Sequence, residues 1–207
     1  MKRAVFFYWL IGIIIVLGCI LTAFRFDTAV AQFMADHQTP GIRNFMRMVS
    51  KCGDWWQHFV VGLVGAAIAW QRKNKQWTRI FIAMLIALSI AGITGRVMKV
   101  STARARPSVK TEQVWWNSQH WSSKYHSFPS GHVDASVGFF GVLFLARRRI
   151  GALCLPIPIL IAFSRMYLGA HYLSDVVCAA VLGILAAILV GHFYLRKVGA
   201  PASPAPG

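Results

Sequence analysis

The stretch Val176-Val-Cys-Ala-Ala-Val-Leu-Gly-Ile-Leu-Ala-Ala-Ile-Leu-Val-Gly-His-Phe-Tyr-Leu195 contains no lysine, arginine, aspartate or glutamate. An apolar run of about 20 residues is long enough for a helix to cross the hydrocarbon core of a bilayer. Ala4–Phe24 is a second run of this kind. Because 57% of the 207 residues are hydrophobic and only 14% are charged, the chain fits a membrane helix bundle better than a soluble domain.

Further apolar runs predict an all-α, polytopic membrane helix bundle with about six transmembrane helices. Four runs are short for a span unless polar residues at their ends extend the helices into the headgroup layer. These runs are Trp55–Trp70, Ile80–Gly95, His132–Ala146 and Ile150–Tyr167. Apolar residues also recur at helical spacing in Phe26–Phe33 and Ile42–Val49. They predict two short amphipathic helices, either lying on the outer leaflet or packed as lids on the bundle.

The chain reads as one integral-membrane domain, residues 1–198. It contains no internal repeat and no long linker. The last nine residues, 199–207, are dominated by proline, alanine and glycine. Such a composition cannot bury a core, so we expect a disordered tail.

The formal net charge of +16 comes from small clusters between the apolar runs. Nucleic-acid binding would require a continuous basic face, so this function is not expected. The clusters Lys2-Arg3, Arg72–Arg79, Arg147–Arg149 and Arg196-Lys197 fall at alternate ends of the runs and contain no acid. The positive-inside rule places them, and both termini, in the cytoplasm. The opposite end, which carries all six acids, then faces the outside of an inner cell membrane.

The segment Ser164–Asp175 contains a histidine and a carboxylate four residues apart, His171 and Asp175. At the start of a helix this spacing puts both side chains on one face. The carboxylate can accept the proton of one imidazole nitrogen and leave the other nitrogen free to attack a substrate. The alternative is a pair that only caps a helix.

The segment Pro129-Ser130-Gly131-His132 precedes an apolar run and predicts a helix start. Serine is a preferred N-cap, and glycine allows a ligand to approach the backbone closely. Free amides and the helix dipole bind phosphate at such a terminus. His132 would face the same anion and could protonate a leaving oxygen.

Fixed cations accompany these two segments. Lys99 and Arg106 flank a polar stretch that ends at Pro107, and Arg165 ends an apolar run. Arginine binds phosphate through a planar fork and lysine as a point charge. The alternative is ordinary snorkelling of cations at span ends, which we assign to Arg96, Arg104, Lys110 and Lys124.

In order and spacing, the three segments resemble the signature of the type 2 phosphatidic acid phosphatase family. These are membrane lipid phosphatases related to vanadium haloperoxidases. The resemblance implies that His171 is a nucleophile that forms a phosphohistidine and is oriented by Asp175, while His132 is the general acid. It further implies that the phosphate oxygens are held by Lys99, Arg106, Arg165, Ser130 and the Gly131 amide.

With few carboxylates near the three segments, no metal and no cofactor are expected, and the fixed cations would neutralise the phosphate. The expected partner is a phospholipid or isoprenoid diphosphate; oligomeric state is not predicted. The resemblance to the phosphatase family implies four candidate substrates: undecaprenyl diphosphate, lipid A phosphate, phosphatidylglycerol phosphate and phosphatidic acid. A lipid-to-lipid phosphotransferase and a non-catalytic anion transporter are the alternatives. The aromatic loop Glu112–His126 could contact the substrate or anchor the protein at the interface.

Overall fold

The structure is a computed structural model that describes residues 2–118 and 121–195, and this part of the chain contains helices and no strand. The helices are α1 (Lys2–Asp36), α2 (Pro40–Cys52), α3 (Trp55–Gln71), α4 (Lys75–Thr102), α5 (Gly131–Ala146), α6 (Arg148–Cys154), α7 (Pro156–Tyr167) and α8 (Leu173–Val190). A 3₁₀ turn, Ser123–Tyr125, precedes α5, and a π-helical turn, Gly191–Leu195, follows α8. The all-α bundle is confirmed. The predicted tail at 199–207 lies outside the described residues.

Four helical stretches among the described residues are long and apolar enough to cross a bilayer, by length and composition. They are Phe7–Asp36, Lys75–Thr102, Arg148–Tyr167 and Leu173–Tyr194. The shorter runs also form helices, since α3 has 17 residues and α5 has 16. The protein is therefore a multi-pass membrane protein, while the count of six spans stays a prediction.

Helix α1 continues beyond the first apolar run, so the prediction of a separate amphipathic helix at Phe26–Phe33 is wrong. No proline or glycine interrupts the chain between Phe24 and Asp36, and Pro40 is the first residue that cannot continue the helix. The second predicted amphipathic helix does form, as α2, and it packs against α7.

The core of the bundle lies where α4, α5 and α8 meet. Its fully buried side chains include Ala83, Ala87, Leu88, Ala135 and Phe139. Many of these side chains are small, which allows helix backbones to approach closely, as is usual between membrane helices. Large apolar side chains are instead exposed along the outer faces of α1, α3 and α7, where lipid would cover them.

Helices α5 and α8 pack closely together at Gly183. A Cβ atom at this position would lie 2.7 Å from the Asp134 carbonyl oxygen and 2.8 Å from the Gly138 amide nitrogen. Both are backbone atoms, which cannot move aside without shifting α5. Glycine is therefore required here, because it allows α8 to pack against the backbone of α5.

We expect Gly183→Ala to lower the thermal stability of the protein in detergent, because a methyl group forced against backbone costs about 1–3 kcal/mol. Gly12→Ala in α1 is the matched control, since a Cβ there meets nothing within 4 Å. Thermal unfolding followed by size-exclusion chromatography measures both variants. Equal melting temperatures for the two variants would contradict the proposed close contact.

Candidate active site

Helix ends at one end of the bundle carry the predicted site residues. Lys99 lies in the last turn of α4, Arg165 in the last turn of α7, and Asp175 in the first turn of α8; Ser130, Gly131 and His132 lie at the start of α5, Arg106 in the loop after α4, and His171 before α8. The structure therefore brings all eight together. The basic clusters at Arg72–Arg79 and Arg147–Arg149 lie at the opposite ends of α4 and α5.

A tight turn between α7 and α8 positions His171. Gly169 has a φ of +66°, in the left-handed region that glycine adopts without strain. The Ala170 amide donates to the Arg165 carbonyl at 3.1 Å and closes the turn. His171 follows directly and is 3% exposed. It lies just before α8, not within its first turn.

The His171 ring is held by a backbone group that sequence reasoning did not identify. Its Nδ1 lies 2.7 Å from the Ser127 carbonyl oxygen, whereas the nearest oxygen of Asp175, Oδ2, is 3.5 Å away. Because a carbonyl oxygen only accepts hydrogen bonds, Nδ1 must carry the proton. The Nε2 atom then keeps its lone pair.

Burial lowers the pKa of His171 from 6.5 to about 4, and the positive charges of Lys99 and Arg165 act in the same direction. The neighbouring carboxylate of Asp175 opposes this change in pKa. The imidazole is therefore neutral at pH 7. A neutral imidazole with a free Nε2 is the form that can act as a nucleophile.

Asp175 is fully buried and accepts hydrogen bonds from several directions. Its Oδ2 accepts from the Ser127 hydroxyl at 2.5 Å and from the Tyr172 amide at 2.8 Å. Its Oδ1 accepts from Nη1 of Arg104 at 2.5 Å. These donors hold the carboxylate beside His171 in a single orientation.

The start of α5 offers free hydrogen-bond donors. The amides of Gly131 and His132 have no hydrogen-bond partner among the described residues, as expected for the first turn of a helix. The Ser130 hydroxyl is buried, makes no capping bond and has no partner within residues 2–118 and 121–195. A Cβ at Gly131 would lie 3.4 Å from Cε of Lys99, so Lys99 stands directly beside this helix start. Free amides, a buried hydroxyl and a lysine side chain therefore meet at the start of α5, where together they can bind an anion.

Three cations surround the same space. The Lys99 ammonium donates to the Pro129 carbonyl, and Nη1 of Arg165 donates to the Ser50 hydroxyl of α2 at 2.6 Å. The Nε atoms of Arg106 and Arg165 are buried and unpartnered within the described residues. The charge of Lys99 interacts with those of both arginines. A phosphate would supply the missing acceptors and relieve the repulsion.

His132 lies at the rim of the site. Its Nε2 is 2.7 Å from Oδ1 of Asp54, the residue before α3. The two side chains are 21% and 48% exposed, so both reach solvent. Asp54 was not among the predicted site residues, and only its position before an apolar run distinguishes it in the sequence.

Arg104 differs from what the sequence predicts. The sequence predicts a snorkelling cation, but the residue is 4% exposed and binds Asp27 and Asp175. The left-handed conformation of Ala103, with φ of 41°, ends α4 and turns the chain inward at this point. In contrast, Arg96, Lys110 and Lys124 are exposed, as snorkelling residues would be.

The aromatic loop divides into two parts. Trp115 faces the protein, with its ring 4.3 Å from Cζ of Arg104 and ring contacts to Phe24 and Phe128. Trp116 and Trp121 are 72% and 84% exposed. Trp115 therefore packs against Arg104 inside the protein, whereas the exposed Trp116 and Trp121 can contact the membrane interface.

Within the described ranges, no group of three or more histidine, cysteine, aspartate or glutamate side chains is arranged to hold a metal ion. Of the site carboxylates, Asp175 is fully engaged by its donors and Asp54 contacts His132. Positive charge at the anion site is supplied by lysine and arginine.

Known proteins resemble parts of this chain. A protein named bacitracin transport permease protein BcrC, from Bacillus licheniformis, is 30% identical over 129 residues, which are 61% of this chain and 62% of that protein. An undecaprenyl-diphosphatase from Sulfolobus acidocaldarius is 24% identical over 159 residues, 76% of this chain and 73% of that protein. The chain spans 52% to 62% of the length of the first curated relatives that it matches.

The fold is that of a solved membrane protein. A crystal structure of a transmembrane PAP2 type phosphatidylglycerolphosphate phosphatase from Bacillus subtilis superposes with a TM-score of 0.69 at 21% identity, over 92% of this chain and 98% of that one. A family model described as PAP2 superfamily matches residues 79–198, which is more than half of the chain. This range contains every residue predicted for the site. The chain belongs to the PAP2 superfamily.

Proposed function

We propose that the protein is an integral-membrane lipid phosphatase that hydrolyses a phosphomonoester or diphosphate through a phosphohistidine on His171. One observation carries the proposal: a buried, neutral imidazole has its Nδ1 engaged by a carbonyl, which leaves Nε2 free, beside three cations and a helix N-terminus. These are the parts that nucleophilic phosphoryl transfer requires. Family membership supports the same activity.

In the first step, Nε2 of His171 attacks phosphorus, and the bond from phosphorus to the leaving lipid oxygen breaks. His132, protonated while the anionic phosphate and the Asp54 carboxylate lie beside it, donates its proton to that oxygen. Lys99, Arg106 and Arg165 bind the three equatorial oxygens, where negative charge is spread in the transition state. The Gly131 amide and the Ser130 hydroxyl add hydrogen bonds.

In the second step, water attacks the phosphohistidine and the phosphorus–nitrogen bond breaks. His132, now neutral, accepts the proton of the attacking water. The imidazole ring carries positive charge while it is phosphorylated, and the buried carboxylate of Asp175 stabilises that charge. Inorganic phosphate leaves, and His171 returns to its neutral form.

We rank undecaprenyl diphosphate first among substrates, with lipid A phosphate and phosphatidylglycerol phosphate next. Three fixed cations can balance more negative charge than a single monoester brings. Water is partly excluded around them, which strengthens each interaction. The activity in the name of the Sulfolobus relative supports this order.

Two alternatives use the same site. A phosphohistidine can pass its phosphoryl group to a second lipid, which would make the protein a phosphotransferase. Transport is favoured only by the permease name of the Bacillus licheniformis relative. The charged site residues gather at helix ends, whereas a transport pathway places such residues near the bilayer midplane.

The site is proposed to face the periplasm, with both termini in the cytoplasm. The acid-free basic clusters at Arg72–Arg79 and Arg147–Arg149 lie at the opposite end of the bundle from His171. Cytoplasmic loops are enriched in lysine and arginine, which supports this orientation. The basic cluster at residues 196–197 lies outside the described residues.

His171→Ala is expected to reduce phosphate release by about 10⁴-fold or more, because the nucleophile is lost. His37→Ala is the matched control, since that ring is exposed just after α1 and contacts Phe33 of the same helix. Phosphate release by both purified variants is compared with that of the wild-type protein. A His171→Ala protein that remains folded and substantially active would exclude the phosphohistidine.

Activity is expected to survive EDTA, because lysine and arginine provide the positive charge at the site. Vanadate is expected to inhibit, because it mimics the transferring phosphoryl group as a trigonal bipyramid. Phosphate release is measured with chelator, with vanadate, and after magnesium is added back. Loss of activity in EDTA that magnesium restores would rule out a metal-independent site.

The kcat/KM for undecaprenyl diphosphate is expected to exceed that for each monoester in matched detergent micelles. Release of inorganic phosphate is measured for each lipid, with and without a second lipid as acceptor. A clear preference for a monoester would reverse the ranking. Transfer of phosphate to the acceptor lipid would indicate a phosphotransferase, and absence of any product would favour transport.

A further inference from the structure

Asp27, Arg104 and Asp175 form a buried chain of charges that links α1 to the turn that carries His171. The mechanism above uses Asp175 but neither Asp27 nor Arg104. Nη2 of Arg104 lies 2.6 Å from Oδ2 of Asp27, and Nη1 lies 2.5 Å from Oδ1 of Asp175. The Ser174 hydroxyl bridges the chain, since it accepts from Arg104 at 2.7 Å and donates to Asp27 at 2.6 Å. None of these four residues is more than 5% exposed.

Asp27 is the unusual member of α1. Most large side chains of this helix are apolar and exposed, as suits a lipid-facing span. A carboxylate buried at such a position is costly unless it is paired and hydrogen-bonded. Asp27 meets this requirement completely, because its Oδ1 also accepts the Ser174 amide at 2.8 Å.

The guanidinium of Arg104 is buried and packs against aromatic rings. The rings of Trp115 and Tyr172 lie 4.3 and 4.2 Å from its Cζ, and the ring of Phe24 from α1 lies at 5.6 Å. Aromatic faces attract a guanidinium, and its planar fork directs the two terminal nitrogens at separate acceptors. Oδ1 of Asp175 is therefore bound by a guanidinium that is itself paired with Asp27 and packed against aromatic rings.

The charges in this chain add up to a net negative value. Without Asp27, Arg104 and Asp175 would form a neutral pair. The Asp175 carboxylate would then attract a positively charged imidazole less strongly. Asp27 supplies a second negative charge that balances Arg104. The negative charge of Asp175 is therefore available to stabilise a positively charged His171.

We propose that Asp27 and Arg104 are positioning residues for His171, and that α1 completes the active site through the Asp27 carboxylate. The inference rests on the proposed phosphatase function. Asp27 lies outside residues 79–198, the range that matches the family model. The N-terminal helix thus supplies part of the electrostatics of a site whose reacting groups all lie within that range.

Asp27→Asn tests the charge with almost no change in shape. Its kcat is expected to fall by on the order of 10–100-fold, the range typical of groups that orient catalytic or ligating histidines. KM should change little, because substrate does not touch Asp27. Asp36→Asn is the matched control, since Asp36 is exposed at the end of the same helix. It should behave as wild type.

A second variant covers the case in which Asp27→Asn fails to fold. Ser174→Ala removes only the hydroxyl that bridges Arg104 and Asp27, and it should lower kcat in the same direction.

The double variant Asp27→Asn with Arg104→Gln should be no slower than Arg104→Gln alone, because the two residues act through one contact. Full additivity of the two losses would overturn the proposal.

Vanadate affinity, measured by calorimetry, separates this proposal from the proposed function. Vanadate reports the orientation of His171 whether or not any lipid is hydrolysed. If the wild-type protein hydrolyses no lipid, the proposed function fails, and weaker vanadate binding in Asp27→Asn than in Asp36→Asn still supports the positioning role. Equal vanadate affinity and equal kcat in Asp27→Asn, Ser174→Ala and Asp36→Asn would overturn that role.

Discussion

Complete burial of the Asp175 carboxylate is the constraint on which the site depends. A charge without solvent contact must be met by donors on all sides, and each donor comes from a different part of the chain. Arg104 follows α4, Ser127 precedes α5, and Tyr172 precedes α8. The Asp175 carbonyl in turn accepts the Ser130 amide at 3.1 Å. One residue therefore fixes three segments relative to one another.

Close packing between helices stabilises this arrangement of the segments around Asp175. Gly183 lets α8 touch the backbone of α5, and Gly95 leaves room for Asp134, whose Oδ2 would collide with any Cβ there. The first contact brings α8 close to α5, and the second brings α4 close to α5. The short turn that carries His171 is bounded by α7 and α8, and this support suits a transfer that depends on in-line geometry.

The sequence predicts the helices and the groups at their ends because both follow from local patterns. Apolar runs locate the spans, and Ser130 and Gly131 before such a run locate a helix start. Arg104 could not be predicted in the same way, because its partner Asp27 lies 77 residues earlier. The Ser127 contribution is a carbonyl oxygen, which every residue possesses, so its identity carries no signal.

The burial of His171 has a consequence for the conditions that the protein tolerates. A histidine in water loses its lone pair to a proton below pH 6.5, whereas His171 keeps it down to about pH 4. Acidification of the medium in that interval would leave the reacting atom intact. Between pH 6.5 and pH 4, however, His171 binds a proton in the unfolded chain but not in the folded chain. Folding stability therefore falls as the pH drops from 6.5 towards 4. Resistance of the nucleophile to acid is therefore coupled to a weaker fold in acid.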